Sequence, residues 1–140
     1  MITTYTGIKS DLYSTLITGM NTSYPDMKIY FTNTVDEDYT KDTEFLVASI
    51  QDVDSFKLTN SNTEAIYLNT GIMTVQVFTE KLKGEKKQEE IINKIVNVFR
   101  NYEKENLRTN NIQFVEGFDS GWQQKNVLIN FEWDYYYSEV

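Results

Sequence analysis

From Val127 to Tyr137 the chain alternates strictly: Val127, Ile129, Phe131, Trp133, Tyr135 and Tyr137 fall on one face and Asn130, Glu132 and Asp134 on the other. Period two of this length is the signature of a strand with one covered face and one wet face, which commits the chain to a sheet. Glu85 to Tyr102 repeats differently. Ile91, Ile92, Ile95, Val96, Phe99 and Tyr102 form one stripe, with Glu89, Glu90, Asn93, Lys94, Asn97 and Arg100 opposite, as on an amphipathic helix that needs an apolar surface beneath it. Ile72 to Thr79 is again strand-like, with Met73, Val75 and Val77 on one face and Thr74 and Gln76 between Ile72 and Phe78 on the other. A helix packed across a sheet follows.

The first half supplies the remaining elements. Ile8, Leu12, Tyr13, Leu16, Ile17 and Met20 recur at helical spacing, predicting a helix from about Gly7 to Met20, with Thr6 or Ser10 helping to start it and Gly19 and Asn21 near its end. Tyr24-Pro25-Asp26 is a turn, and Met27 to Phe31 a first strand. Asn33 to Thr43 is a polar, acidic loop. Glu44 to Ile50, apolar on both faces, reads as a central strand. Between Ser55 and Asn69, Phe56 and Leu58 on one side and Ile66 and Leu68 on the other flank the turn-like Asn60-Ser61-Asn62-Thr63. This segment extends two neighbouring strands into a projecting hairpin arm, or else is a long surface loop. Lys81 to Lys87 is a basic linker whose lysines oppose the dipole of the helix that follows. Glu103 to Asn111 reads as a polar connection, Ile112 to Phe118 as a strand and Asp119-Ser120-Gly121 as the turn before the last one. The expectation is a single α+β domain in the order α-β-β-β-α-β-β, with two helices on a mixed or mostly antiparallel sheet.

Composition excludes several chemistries. With 140 residues one domain is expected, and the formal net charge of -8 argues against a grip on nucleic-acid phosphates. The absence of cysteine and histidine removes disulfides, thiolate chemistry, the usual catalytic triad and the commonest transition-metal ligands. The amino-terminal segment lacks the apolar core of a signal peptide, and no apolar run approaches a membrane span, so a cytoplasmic site of synthesis is expected. Asp36, Asp38 and Asp42 suggest a calcium loop, but Lys41 stands where an EF-hand needs glycine and Val47 where it needs the bidentate glutamate. Asp52 and Asp54, two apart, would share an exposed strand face and at most hold a divalent ion weakly between subunits. Glu132 and Asp134 are explained as the wet face of a strand. Gly71, Gly84, Gly117 and Gly121 form no phosphate-binding motif. No enzyme activity, cofactor or metal is therefore expected.

Attention shifts to assembly. Glu44-Phe45-Leu46-Val47-Ala48, the run Thr70 to Phe78, the helix bearing Ile91, Ile95 and Phe99, and the closing pair Ile112 to Phe118 and Trp122 to Tyr135 together resemble the tail terminator, or tail completion, proteins of long-tailed bacteriophages. The amino-terminal helix before Tyr24-Pro25 fits the same plan. The resemblance implies a virion subunit, assembled in the host cytoplasm. It would close into a ring, usually a hexamer, on the head-proximal end of the tail tube, ending tube polymerisation and forming the surface that docks to the head. Its implied partners are further copies of itself, the tail-tube protein and the head-tail connector or neck proteins, with DNA passing through the lumen without specific binding. From the residues themselves, Phe56, Leu58, Ile66, Leu68, Trp122 and Tyr136 are candidates for subunit or tube contacts. The alternatives are another neck protein, a tail-tube subunit, and a small enzyme or ligand-binding domain with a pocket of carboxylates and tyrosines.

Overall fold

The computed structural model describes residues 4–31, 44–58, 64–81, 85–117 and 121–138. Helix α1 (Tyr5–Asn21) leads into β1 (Lys28–Phe31), β2 (Glu44–Lys57) and β3 (Glu64–Glu80); helix α2 (Lys86–Phe99) precedes β4 (Glu103–Lys104), β5 (Leu107–Glu116) and β6 (Trp122–Ser138). Among the described residues these strands form one mixed sheet in the order β1-β2-β3-β6-β5-β4. Only the β1–β2 pair is parallel. The expected α+β order stands, with one addition: the polar stretch read as a connection, Glu103 to Asn111, contains β4, a two-residue turn and the start of β5.

Both helices lie against the face made by Leu46 and Ala48 of β2, Met73, Val75 and Val77 of β3, and Val127, Ile129, Phe131 and Trp133 of β6, all buried. Ile8, Leu12, Leu16 and Met20 of α1 and Ile91, Ile92, Ile95, Val96 and Phe99 of α2 complete this core. Ile17, counted in the apolar stripe of α1, is 45% exposed at the edge of that stripe, where it borders an open cleft beside β1. The helix also starts earlier than the sequence suggests. Its cap is Thr4, whose Oγ1 accepts the Gly7 N–H at 3.1 Å, rather than Thr6 or Ser10. Gly19, near the end of the helix as expected, also marks a close approach between helices: a Cβ there would come within 2.5 Å of Val98 Cγ2.

The opposite face carries a smaller cluster. The rings of Phe45 and Phe78 stack at 4.6 Å, with Tyr30 and Trp122 edge-on to Phe45 at 5.7 and 5.0 Å. This cluster explains why Glu44 to Ile50 is apolar on both sides. Lys87, poorly placed for the α2 dipole, is occupied otherwise. Its ammonium lies 3.7 Å from Glu44 and over the Tyr24 ring, while Glu89 provides the acidic group of the first turn.

The sheet curls where β2 and β5 each bulge, between Gln51 and Asp54 and between Thr109 and Ile112. The pair Gly71 and Phe131 lies between the two bulges. The Phe131 ring occupies the space over Gly71, where a Cβ would approach Cζ to 2.6 Å.

Beyond this bend the strands continue without a helical cover. Asp54 to Lys57 pairs with Thr70 to Tyr67, and the Leu58 N–H donates to the Ile66 carbonyl at 2.8 Å, so the hairpin arm is present. It has three strands rather than two, because β6 pairs with β3 through to Ser138 opposite Glu64.

Two substitutions test this account. Gly71→Ala is expected to lower stability by about 1–3 kcal/mol in urea unfolding, since the buried Phe131 ring has to leave its place. In the turn joining β4 to β5, Glu105 has φ 54° while Asn106 stays at negative φ, an arrangement that favours glycine first. Glu105→Gly is therefore expected to raise stability by about 1 kcal/mol in the same measurement.

Candidate assembly surface

The arm brings the predicted apolar residues onto one surface. Phe56 stands opposite Leu68, and Leu58 is bonded across the hairpin to Ile66. Directly opposed residues share a sheet face, so all four lie together on the side away from the helices. Phe56, Leu58 and Ile66 are 51, 59 and 39% exposed; Leu68, further into the sheet, is half-buried. None of the four belongs to either buried cluster. The backbone of Tyr136 pairs with Ile66, which places it on β6 beside this surface; its side chain lies outside the described residues. Trp122 is elsewhere, at the far end of β6, half-buried against Phe45. It is part of the packing of its own chain, because the strand begins at Trp122 itself and turns its ring inward onto the aromatic cluster.

At the base of the arm the wet face is tied by charge. Arg108 Nε donates to Glu132 Oε1 at 2.7 Å and its Nη1 to Asp134 Oδ1 at 3.4 Å. Glu132 and Asp134 thus stand where the alternation placed them, serving as the acceptors of a cross-strand ion pair. The Asn106 side chain donates to the Asp134 carbonyl at 2.6 Å, and the Asp134 N–H returns a bond to the Asn106 carbonyl. These contacts fasten the β4–β5 turn to β6 just before the aromatic block.

A second polar cluster links α1 to the segment after α2. The Tyr102 hydroxyl donates to Asp11 Oδ2 at 2.6 Å, Lys104 Nζ reaches Asp11 Oδ1 at 2.8 Å, and Thr15 lies 3.1 Å from the same hydroxyl. The Asp11 side chain is almost fully buried, whereas Lys104 is largely exposed. Burial of the ring and its bond to Asp11 raise the Tyr102 pKa above 10.0, and Asp11 likewise raises that of Lys104. The open groove beside them is lined by Ser14, Thr18, Gly19 and Val98 as well. Asp11, Thr15, Tyr102 and Lys104 bond to one another across it, which marks the cluster as a fastening between elements.

Residues that pattern reading passed over are those whose role depends on two distant segments. Gln88 is buried, its amide donating to the carbonyls of Val77 and Gln123 at 3.4 and 3.2 Å, while Gln123 donates back to its Oε1. Its place on the apolar stripe of α2, one turn before Ile91 and Ile92, was the available signal. Phe114 and Val115, half-exposed on β5, likewise carry no sequence signal beyond that of strand residues.

Among the described residues no cluster of three acidic or other metal-binding side chains occurs. The acidic segment carrying Asp36, Asp38 and Asp42 and the Asp52 side chain lie outside the described residues. Among the described residues no helix is long and apolar enough to cross a membrane. No protein-family model matches this chain, and no curated protein matches it.

The Tyr102 cluster has a pH signature. A group whose pKa is raised in the fold contributes stability that is complete below its unfolded pKa, about 10, and is lost as pH rises through the folded value. Stability is therefore expected to fall as the pH rises above about 10. Tyr102→Phe should cost about 1 kcal/mol at pH 8 and flatten that fall, as read from urea midpoints across the range. Tyr13, also raised by burial, contributes to the same slope and is controlled for with Tyr13→Phe.

Proposed function

We propose that this chain is a structural virion subunit that caps the head-proximal end of a bacteriophage tail tube as a ring, hexameric by analogy with the family it resembles. The observation that carries the reading is the arm: a three-stranded extension whose apolar outer face, with Phe56, Leu58 and Ile66, has no counterpart in the chain's own cores. Exposed apolar clusters of this kind mark sites of association.

The charge supports the same reading. A net charge of -8 disfavours retention of phosphates, as suits a channel through which DNA slides. The order of elements is that of the resemblance, with the added β4 and the lengthened β5 accommodated at one edge of the sheet. In this proposal one face of the ring meets the last tube ring, and the opposite face rejects a further tube subunit and receives the head.

Disrupting the gene in the phage that carries it is expected to give tails of uncontrolled, mostly excessive length that fail to join heads, as measured on electron micrographs. Tails of normal length that still fail to join heads would shift the reading to a neck protein. Normal-length tails on infectious particles would overturn it. Supplying the double variant Phe56→Asp, Ile66→Asp in place of the wild type should reproduce the disruption, because the altered residues are exposed and their loss spares the fold.

A further inference from the structure

An apolar hollow stands open at the end of the sheet away from the arm. A cleft of about 210 Å³ runs between the end of α1 and the start of β1, lined by Ile17, Met20, Tyr24, Met27, Lys28 and Ile29. Its wall is mostly carbon, with Ile17 45% exposed at the mouth. An apolar cavity of about 150 Å³ already takes a benzene ring. The cleft therefore has room for one aromatic side chain and little more.

The arm carries a side chain of that kind. Phe56 is 51% exposed on the face turned away from the helices, beside Leu58 and Ile66. It cannot reach the cleft of its own molecule. Lys28 lies level with Phe45, and Phe56 stands eleven residues further along β2, about 35 Å away at the usual rise per residue.

Charge matches as well. Asp54 is exposed and shares the outer face of the arm with Phe56, two residues before it. Lys28, also exposed, sits on the rim of the cleft. Among the described residues neither takes part in an ion pair. With the Phe56 ring in a cleft, Asp54 stands about 7 Å along the strand from it, within reach of a lysine on the rim.

The two surfaces look to opposite sides of the sheet. Ile29 and α1 pack on the helix side, whereas Phe56 faces away from it. One neighbour therefore cannot fill the cleft of a molecule and receive its arm at the same time, as a two-fold pair requires. A copy displaced along the strands and towards the outer face presents its cleft to the arm of the first, and its own arm is left for a third. Such a contact is heterologous, and with a rotation at each step it closes into a ring.

We propose that copies of this chain join head to tail, the Phe56 ring of one arm seated in the cleft beside Ile17 of the next copy, with Asp54 meeting Lys28 at the rim. This rests on the ring reading and identifies both sides of its junction. The seated ring is the buried aromatic anchor of the contact, and Leu58 and Ile66 exclude water around it.

The test uses the full chain, weighed in solution over a concentration series. Phe56, Ile17, Asp54 and Lys28 are all exposed, so their variants keep the fold, which urea unfolding verifies. The wild type is expected to form a discrete ring. Phe56→Asp and Ile17→Asp are each expected to be monomeric at concentrations where the wild type is fully assembled. Asp54→Lys and Lys28→Glu each place like charges at the rim and should raise the concentration for half-assembly about threefold or more. The double variant, Asp54→Lys with Lys28→Glu, restores the pair in reverse and should return that concentration to near the wild-type value.

Rings that persist in Phe56→Asp or in Ile17→Asp overturn the proposal while leaving the ring reading in place. A double charge variant that assembles no better than either single one does the same. A wild type that is monomeric throughout also overturns it. The tail-length assay judges the ring reading separately in every case.

Discussion

The pairing of β3 with β6 is the constraint on which the rest of the structure depends. Each strand has 17 residues, and they are antiparallel neighbours along their whole length, from Glu64 opposite Ser138 to Glu80 opposite Trp122. Every other strand attaches to one side or the other of this pair. A slip of one residue would turn Met73, Val75 and Val77 away from the helices. Gly71 helps to prevent it. The Phe131 ring fits over a residue without a side chain, and a shifted register would bring Thr70 or Ile72 beneath it.

The same strands make the arm unavoidable. A 17-residue strand spans about 56 Å, whereas a helix of 14 residues spans about 21 Å and one of 17 about 25 Å. Two helices of that size lying on one face cannot cover strands of that length. The bulges in β2 and β5, with Gly71 and Phe131 between them, fall at the boundary between the covered body and the uncovered extension. Beyond it, the outer face retains Phe56, Leu58 and Ile66 without partners in either core. The fastening at the other layer is polar: Asp11, Tyr102 and Lys104 hold α1 to the segment that follows α2, and Thr109 Oγ1 donates to the Phe99 carbonyl at the end of that helix.

Much of this was legible in the chain because it is periodic. The alternation from Val127 places Val127, Ile129, Phe131 and Trp133 in the core, and the stripe on α2 names five residues that are buried there. The arm was legible as an alternative to a loop, since in the sequence Phe56, Leu58, Ile66 and Leu68 flank the turn-like Asn60-Ser61-Asn62-Thr63. The polar run after Tyr102 misled for a definite reason. Short edge strands are held by backbone bonds and need little apolar pattern, so Glu103 and Lys104 could pair with Arg108 and Leu107 without announcing it. Asn101 at φ 59° belongs to the same connection, where asparagine tolerates a left-handed backbone.

The sequence by itself determined which residues face the core, the order of the elements, and the absence of thiol and imidazole chemistry, because these follow from local periodicity and composition. Tertiary structure alone decided where β6 inserts, that Trp122 packs inward on Phe45, that Gln88 bridges Val77 and Gln123, and that Phe114 and Val115 stay half-exposed on β5. Each of those depends on which distant strand lies alongside. That choice is made by matching faces, lengths and close contacts across the whole sheet, and no window of neighbouring residues contains it.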